Sequence, residues 1–249
     1  MYATAALSRV QSPASKPRHA FVSIIIPTVN EISNVRRQAQ TLAPLPDAEV
    51  IFVDGGSSDG TLHELEACSR AHANLHVIHA PRRRSSQMNA AAHLAESEWL
   101  IFLHADTLLP AESFHYFIQR TRAARELNAG AFTFRVSNER WAYRYLEFYV
   151  GLRSRVLKLP YGDQALFVRR SLFEELGGYR EDFPLMEDVE LVRRLHQHRG
   201  FEILPAPVYT SARRFESEGY LQRTCGNLYL QLLYACGVHP QKLAQQYWK

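Results

Sequence analysis

The segment Phe21-Val-Ser-Ile-Ile-Ile26-Pro27-Thr28-Val29-Asn30-Glu31 begins with apolar, β-branched residues and ends with polar ones. Such a run predicts a strand that is buried on both faces, as in a parallel sheet. After it, apolar residues recur at helical spacing, which predicts a helix with Asn30 as its N-cap. This strand–turn–helix unit sets the pattern for the first half of the chain.

Further units of the same kind follow. Three apolar runs predict strands, namely 50–53, 75–78 and 99–103, and the Ala-rich segment 86–95 predicts a helix. Strand–helix–strand units of this size predict an α/β domain with a mostly parallel central sheet flanked by helices. Ligands of such sheets bind beyond the carboxyl ends of the strands, which is where Asp54 and Asp106 fall.

The second half of the chain is less regular. Residues 130–136 alternate in the manner of an exposed strand, 165–168 form a short strand, and helices are predicted at 186–196 and 228–235. A long helix also carries a stripe of large apolar residues, with arginines around it: Trp141, Tyr145, Phe148, Leu152 and Val156. We expect this stripe to pack into the core. The alternative is a helix that lies on a membrane.

Charge excludes one class of partner. The net charge of the 249 residues is +4, but residues 1–20 contain three basic side chains and no acid, which leaves 26 basic and 25 acidic side chains in residues 21–249. Nucleic-acid binding needs many uncompensated cations on one surface, so we expect no nucleic-acid partner.

The chain also lacks the marks of a membrane-spanning or disulfide-rich protein. No apolar run approaches the ~20 residues of a transmembrane helix. The three cysteines have no spacing typical of disulfide frameworks or zinc sites, and we expect them to be small buried residues. These observations predict a cytoplasmic protein, with peripheral membrane contact left open.

Two acidic positions follow predicted strands. Asp54 precedes Gly-Gly-Ser, so its carboxylate is expected beside free backbone N–H groups that suit a nucleotide or phosphate. Asp106 follows the strand at 99–103, where a carboxylate can bind a hard divalent cation. The structural alternative, which also applies to Asp59, is that these residues form turns or cap the next helix.

Glu187 and Asp188 begin a predicted helix. Acids in a first turn are stabilised by the helix dipole, which is a purely structural explanation. A carboxylate that projects from this turn into a cleft could instead act as a general base on a hydroxyl.

Arginines are grouped at 82–84 and 213–214, and their guanidinium groups match phosphate oxygens. The alternative is that these arginines lie in charged loops and are simply solvated.

Together these motifs resemble the family 2 glycosyltransferases over nearly all of residues 21–249. The segments that carry the resemblance occur in the family's order: Ser23–Glu31, Val53–Thr61, Leu103–Asp106, Gly162–Gln164, Gly177–Tyr179 and Glu187–Asp188. Leu103–Asp106 stands where the family has its Asp-x-Asp metal motif. Four segments further resemble a subgroup of short members named for arsenosugar biosynthesis or selenium: 87–89, 162–165, 185–190 and 210–214.

The resemblance implies the GT-A fold and an inverting, metal-assisted transfer from a nucleotide-diphospho-sugar to an acceptor hydroxyl. It implies one domain at 21–249, after a flexible leader at 1–20, with a nucleotide half at about 21–110 and an acceptor half at about 111–249. The resemblance does not distinguish a small-molecule acceptor from a lipid-linked one, so both are alternatives.

Residue roles are carried over by position. Asp188 would be the catalytic base, and Asp106 would hold Mg²⁺ or Mn²⁺. The donor-binding residues would be Pro27, Thr28, Asn30, Glu31, Asp54, Gly55, Arg84, Asp163, Arg213 and Arg214. The chain departs from the family at His104, which replaces the first Asp of the metal motif, and from the subgroup at Arg83 and Ser86.

Two other functions are alternatives. A sugar nucleotidylyltransferase would carry a Gly-rich loop after its first strand, where this chain has Pro27-Thr28-Val29-Asn30. A non-catalytic module that binds nucleotide sugars would be expected to lack Asp106 or Asp188, and both are present.

Overall fold

The computed structural model describes residues 20–138, 140–156, 159–213, 216 and 219–247. Its strands are β1 (Val22–Thr28), β2 (Ala48–Asp54), β3 (Leu75–His79), β4 (Trp99–Phe102), β5 (Thr107–Leu108), β6 (Ala129–Val136), β7 (Leu166–Arg169) and β8 (Phe201–Thr210). Its helices are α1 (Ile32–Leu42), α2 (Thr61–Ala71), α3 (Arg84–Leu94), α4 (Ala111–Ala123), α5 (Trp141–Val156), α6 (Arg170–Glu175), α7 (Glu187–Leu195), α8 (Tyr220–Ala235) and α9 (Pro240–Tyr247). A 3-10 turn occupies Gly162–Gln164.

The strands form one sheet in the order β3-β2-β1-β4-β7-β6-β8-β5. The pairs β1–β2, β1–β4, β2–β3 and β6–β8 are parallel, and the pairs that involve β7 or β5 are antiparallel. In the register of β1 with β2, Thr28 lies opposite Asp54, so the two strands end together. The predicted α/β domain with a mostly parallel sheet is confirmed.

Both faces of the sheet are covered, as the continuous apolar run in β1 predicts. Successive side chains of a strand point to opposite faces. Accordingly, Ile24 and Ile26 pack in one cluster with Val35 of α1. Ile25 packs in the other cluster with Met88 of α3. The sheet is therefore held between two helical layers.

The prediction that residues 130–136 form an exposed strand is wrong. β6 lies between β7 and β8 inside the sheet, and most of its residues are buried. Gly130 permits the close approach of β8, because a Cβ atom there would lie 2.0 Å from the Glu202 carbonyl oxygen. The alternation reflects only two polar positions, Thr133 and Arg135, on an otherwise covered strand.

The expected orientation of α5 is also wrong. The apolar stripe predicted for the core is exposed, from 82% at Trp141 to 52% at Leu152. The opposite face is buried instead and includes Glu147 and Arg153. Helical periodicity identifies a stripe but not the side that is buried. Here the inward polar groups find partners in the protein, since the Glu147 carboxylate accepts hydrogen bonds from Arg135 (2.6 Å) and the Val136 N–H (2.8 Å).

Other expectations concern the chain ends and cysteines. The predicted leader lies outside the described residues, apart from Ala20. Among the helices that are described, none has the length and hydropathy needed to cross a bilayer.

Cys68 is partly buried and Cys236 is exposed, so the expectation of three buried cysteines fails at Cys236, in the turn that ends α8.

Glu147 anchors α5 to β6, and its removal is expected to destabilise the fold. Glu147→Ala would leave Arg135 and the Val136 N–H without their buried acceptor, at a cost of about 3 kcal/mol or more. The free energy of unfolding, measured by urea denaturation, tests this. Glu175→Ala, at an exposed position that ends α6, is the control and should change stability by less than about 0.5 kcal/mol. Equal stabilities of the two variants would contradict the anchoring role.

Candidate active site

The loops after β1 and β2 are joined by hydrogen bonds into one surface. The Gly55 N–H donates to the Thr28 carbonyl oxygen (2.9 Å). The Asn30 N–H donates to Ser57 Oγ (3.0 Å), and the Ser58 N–H donates to Asn30 Oδ1 (2.8 Å). Because the two strands end together, their loops can exchange these bonds. The surface they form is expected to be stiff.

The prediction of Asn30 as an N-cap is wrong. The N-cap of α1 is Glu31, and the Asn30 side chain bonds to the β2 loop instead. Asn30 has a φ of 54°, a left-handed conformation that asparagine tolerates better than most residues. The first N–H of α1, on Ile32, donates to Asp59 Oδ2 (3.3 Å), while Thr61 at the start of α2 donates to Oδ1 of the same carboxylate. Asp59 thus serves both helices, and the hydrogen bond from Thr61 lowers its pKa.

Two further predicted donor-binding residues are buried where β1 and β2 end. Asp54 is buried, and its carboxylate accepts from the N–H groups of Gly56 (2.9 Å) and Ser57 (3.2 Å). Thr28 is also buried, and its hydroxyl donates to the Ile26 carbonyl oxygen. Both therefore shape the loop surface. Asn30 is the exposed member of the predicted set in these loops.

A cavity of about 190 Å³ lies at the carboxyl ends of the strands and is capped by α8. It brings together four of the predicted residues, Arg84, Asp106, Asp163 and Asp188, with His104, Tyr161 and Glu187 beside them. The other predicted positions in the described chain do not line it: Pro27, Thr28, Asn30, Glu31, Asp54, Gly55 and Arg213. The predicted base and the predicted metal ligand thus line the cavity together with two predicted donor-binding residues. The other predicted donor-binding residues of the described chain lie outside it.

Asp188 is held at the start of α7 by two backbone N–H groups. Its Oδ2 accepts from Gly162 (2.6 Å) and its Oδ1 accepts from Val189 (2.8 Å). Gly162 is required for this contact, because a Cβ atom there would lie 2.8 Å from His104 Nε2 and 3.2 Å from Asp188 Oδ2. The positive end of the helix dipole adds to the stabilisation of the carboxylate.

Glu187 faces Arg84 across the cavity, at 3.4 Å between Oε1 and Nη1. The glutamate is buried, and burial raises its pKa to about 7, although Arg84 acts in the opposite direction. Arg84 itself remains 43% exposed. It therefore links the first turn of α3 to the first turn of α7, and one side of its guanidinium still faces solvent.

Asp163 is the unsatisfied carboxyl group of the cavity. Its Oδ1 is buried and accepts no hydrogen bond from the described residues. Loss of water is the main cause that raises the pKa of Asp163 to about 6; the negative charges of Asp188 and Asp106 act in the same direction, and Arg153 opposes them. A cation beside this buried carboxyl group would favour its ionised form.

In the part of the chain that the structure describes, no three His, Cys, Asp or Glu side chains converge as a complete metal site. Mg²⁺ is often held by only one or two carboxylates, with waters and substrate phosphates completing its shell. Asp106, which is buried at the cavity wall, and Asp163 fit that kind of site.

Arg213 reaches the end of the loop after β1 rather than the cavity. Its guanidinium donates to Ser33 Oγ (2.8 Å) and Glu31 Oε2 (3.3 Å), so it joins the chain after β8 to the start of α1. Arg214 lies outside the described residues.

Gln87 and Tyr161 lie near the site and were not predicted to have a role. Gln87 donates to the carbonyl oxygens of Val53 (2.7 Å) and Thr28 (3.2 Å), at the ends of β2 and β1. Tyr161 lies under the Arg153 guanidinium at 3.7 Å, and burial raises the pKa of Tyr161 to about 12. The sequence offered a signal for both, because Gln87 lies in the segment 87–89 that resembles the subgroup and Tyr161 directly precedes the Gly162–Gln164 motif.

The sequence profile of glycosyl transferase family 2 matches residues 23–179, which is more than half of the chain. The chain belongs to glycosyl transferase family 2. The match ends before α7, so it contains Asp54, Asp106 and Asp163 but not Asp188.

Relatives and solved structures agree with this family assignment. The family 2 chain is 30% identical over 174 residues to the PGL/p-HBAD biosynthesis glycosyltransferase of Mycobacterium bovis, a match that covers 67% of the chain and 66% of that relative. S. aureus TarS 1-349 in complex with UDP-GlcNAc has a TM-score of 0.63 at 20% identity, over 76% of the chain and 58% of TarS 1-349. The mannosyltransferase PcManGT from Pyrobaculum calidifontis, in complex with GDP-Man and Mn²⁺, has a TM-score of 0.61 at 21% identity, over 80% and 58%.

The solved structures confirm the GT-A-like fold predicted from the sequence. The family 2 chain spans about two thirds of the length of the mycobacterial relative and less than two thirds of each solved structure.

The burial of Glu187 predicts a pH-dependent stability. Because its pKa rises from 4.5 to about 7 on folding, its contribution to stability is complete below pH 4.5 and is lost as the pH rises through about 7. The loss is on the order of 3 kcal/mol. Glu187→Gln, which is neutral throughout, should lose this decline. Urea unfolding at pH 5 and pH 8 measures it, with the exposed Glu175→Gln expected to behave as the wild type. An undiminished decline in Glu187→Gln would contradict the assignment.

Proposed function

We propose that this chain transfers a sugar from a nucleotide-diphospho-sugar to an acceptor hydroxyl, with inversion at the anomeric carbon. The observation that carries the proposal is the position of Asp188, whose carboxylate is oriented by two backbone N–H groups inside a cavity that also contains Arg84 and Asp106. A carboxylate held in this way is ready to accept a proton from a bound hydroxyl.

The reaction balances in a single displacement. The acceptor oxygen forms a bond to the anomeric carbon while the bond from that carbon to the diphosphate oxygen breaks. The acceptor proton passes to Asp188, and the nucleoside diphosphate leaves with the bonding electrons. One attack from the face opposite the leaving group inverts the centre, so the protein needs no nucleophile of its own.

The leaving diphosphate requires positive charge. Arg84 supplies part of it, because its guanidinium is half-exposed at the cavity wall and can donate to phosphate oxygens. A divalent cation held by Asp106 and Asp163 would neutralise more of the charge that develops on the diphosphate. His104 is placed beside this site by its contact with Gly162.

The proposed donor is a nucleoside diphosphate sugar. Two proteins of the same fold are complexed with such compounds, TarS with UDP-GlcNAc and PcManGT with GDP-Man. The joined β1 and β2 loops, with Asn30 exposed, would receive the base and the ribose in the nucleotide half. Arg213 would close this part of the site through Glu31 and Ser33.

The acceptor half is proposed to comprise the chain after residue 110. The narrower assignment to the arsenosugar- and selenium-named subgroup belongs to the proposal as well, and it rests on the four segments named above. It defines no acceptor.

Asp188→Asn tests the proposed base. Asparagine keeps the shape of the side chain and one oxygen for the backbone N–H groups, but it cannot take the acceptor proton. Turnover of a nucleotide sugar should fall by about 10²-fold to 10⁴-fold. Donor binding, measured by calorimetry with Mn²⁺ present, should change little. Asp182→Asn, which removes an exposed carboxylate paired with Arg180, is the matched control. Retained turnover in Asp188→Asn would eliminate the base assignment.

Asp106→Ala tests the cation site. Calorimetry with Mn²⁺ and UDP should show that Mn²⁺ strengthens UDP binding to the wild type. This enhancement should be lost in Asp106→Ala and reduced in Asp163→Asn, while UDP binding without the metal persists. An enhancement of the same size in the wild type and in Asp106→Ala would contradict the site.

A further inference from the structure

The exposed face of α5 consists of large apolar residues and arginines. Trp141 is 82% exposed, Phe148 69% and Tyr145 67%, and Leu152 and Val156 continue the same stripe. Exposed apolar side chains scattered singly are ordinary. Five on one side of a helix, with aromatic residues dominant, mark a surface that is covered in use.

The charges on this face have one sign. Arg144 and Arg155 are exposed on α5, and Arg140 is exposed just before it. The sole acidic residue between 141 and 156 is Glu147, which is buried and paired with Arg135 and Arg144. Aromatic residues beside exposed arginines on a helix are typical of an interface with anionic lipid headgroups. This charge favours a lipid surface over a second copy of the chain, because the arginines of two copies that met through this face would repel one another.

A second observation connects this face with the cavity that contains Asp188. An apolar cavity of about 230 Å³ lies between α5 and α8, lined among others by Tyr145, Tyr149, Val150 and Leu228. It shares Tyr161, Asp163, Asn227 and Gln231 with the cavity that contains Asp188. Leu228 is 41% exposed, so the cavity wall extends to the surface beside the α5 stripe.

We propose that the exposed face of α5 docks on an anionic membrane, and that the cavity between α5 and α8 receives the apolar part of a lipid-linked acceptor held there. The acceptor hydroxyl would then reach Asp188 through the shared wall. The docking stands on the α5 face alone, whereas the role of the cavity rests on the proposed function.

Flotation with vesicles tests the docking on the full chain. The protein should float with vesicles of phosphatidylcholine and phosphatidylglycerol, and much less with phosphatidylcholine alone or at high salt. Trp141→Ser combined with Phe148→Ser should weaken binding about tenfold or more. Arg155→Gln should weaken it about fivefold. All three positions are exposed, so circular dichroism should be unchanged.

Matched substitutions elsewhere serve as controls. Tyr116→Ser on α4 and Arg125→Gln, both at exposed positions, should float as the wild type does. No flotation, or equal losses in the α5 variants and the controls, would overturn the docking. A concentration-dependent dimer in light scattering that the Trp141 and Phe148 changes abolish, without vesicle binding, would assign the face to a second copy.

The cavity is tested with monomeric octyl glucoside, which combines an alkyl chain with sugar hydroxyls. Calorimetry should detect its binding to the wild type, and Leu228→Gln should weaken this binding several-fold. Leu232→Gln, which is exposed one turn further along α8 and does not line the cavity, should not. Equal binding by both variants, or none by the wild type, would overturn the cavity's role. Donor binding is measured separately, so failure of the proposed function remains distinguishable.

Discussion

The parallel pairing of β1 with β2 is the constraint on which the site depends. It sets Thr28 opposite Asp54, so both strands end at the same height and their loops can exchange hydrogen bonds. Gln87 then binds carbonyl oxygens at the ends of both strands. Because Gln87 belongs to the first turn of α3, this contact also fixes that turn, which places Arg84 opposite Glu187. One strand register therefore positions the loops after β1 and β2 and one wall of the cavity together.

The antiparallel part of the sheet provides the other wall. β7 pairs with β4 and begins just after the Gly162–Gln164 turn, so that turn is held beside the end of β4. The Gly162 N–H of that turn donates to Asp188, which lies 26 residues further along the chain in α7. The site joins elements from both halves of the domain, and a carboxylate oriented by backbone groups loses no side-chain partner when a substrate arrives.

The sequence predicts the strands in the first half of the fold closely, because strands that are buried on both faces of a parallel sheet appear as continuous apolar runs. It also places Asp106, Asp163 and Asp188 at one site by family resemblance. It fails where tertiary contacts decide. Asn30 bonds to a neighbouring loop rather than to its helix, and nothing local distinguishes the two. β6 is covered by β8, whose approach depends on Gly130.

The orientation of α5 shows the limit of pattern reasoning most directly. Its sequence offers one apolar stripe and one mixed face, and transfer free energies alone favour burial of the stripe. The mixed face is buried instead. Its Tyr143, Leu146 and Val150 pack against Phe134 and Val136 of β6. Its Glu147, Arg153 and Ser154 find hydrogen-bond partners inside the protein. Polar groups satisfied in this way cost little to bury. No contact within the described chain offsets the unfavourable exposure of the apolar stripe to water. The stability lost there is recovered only when something apolar covers the stripe, which is the physical reason to expect a membrane beside α5.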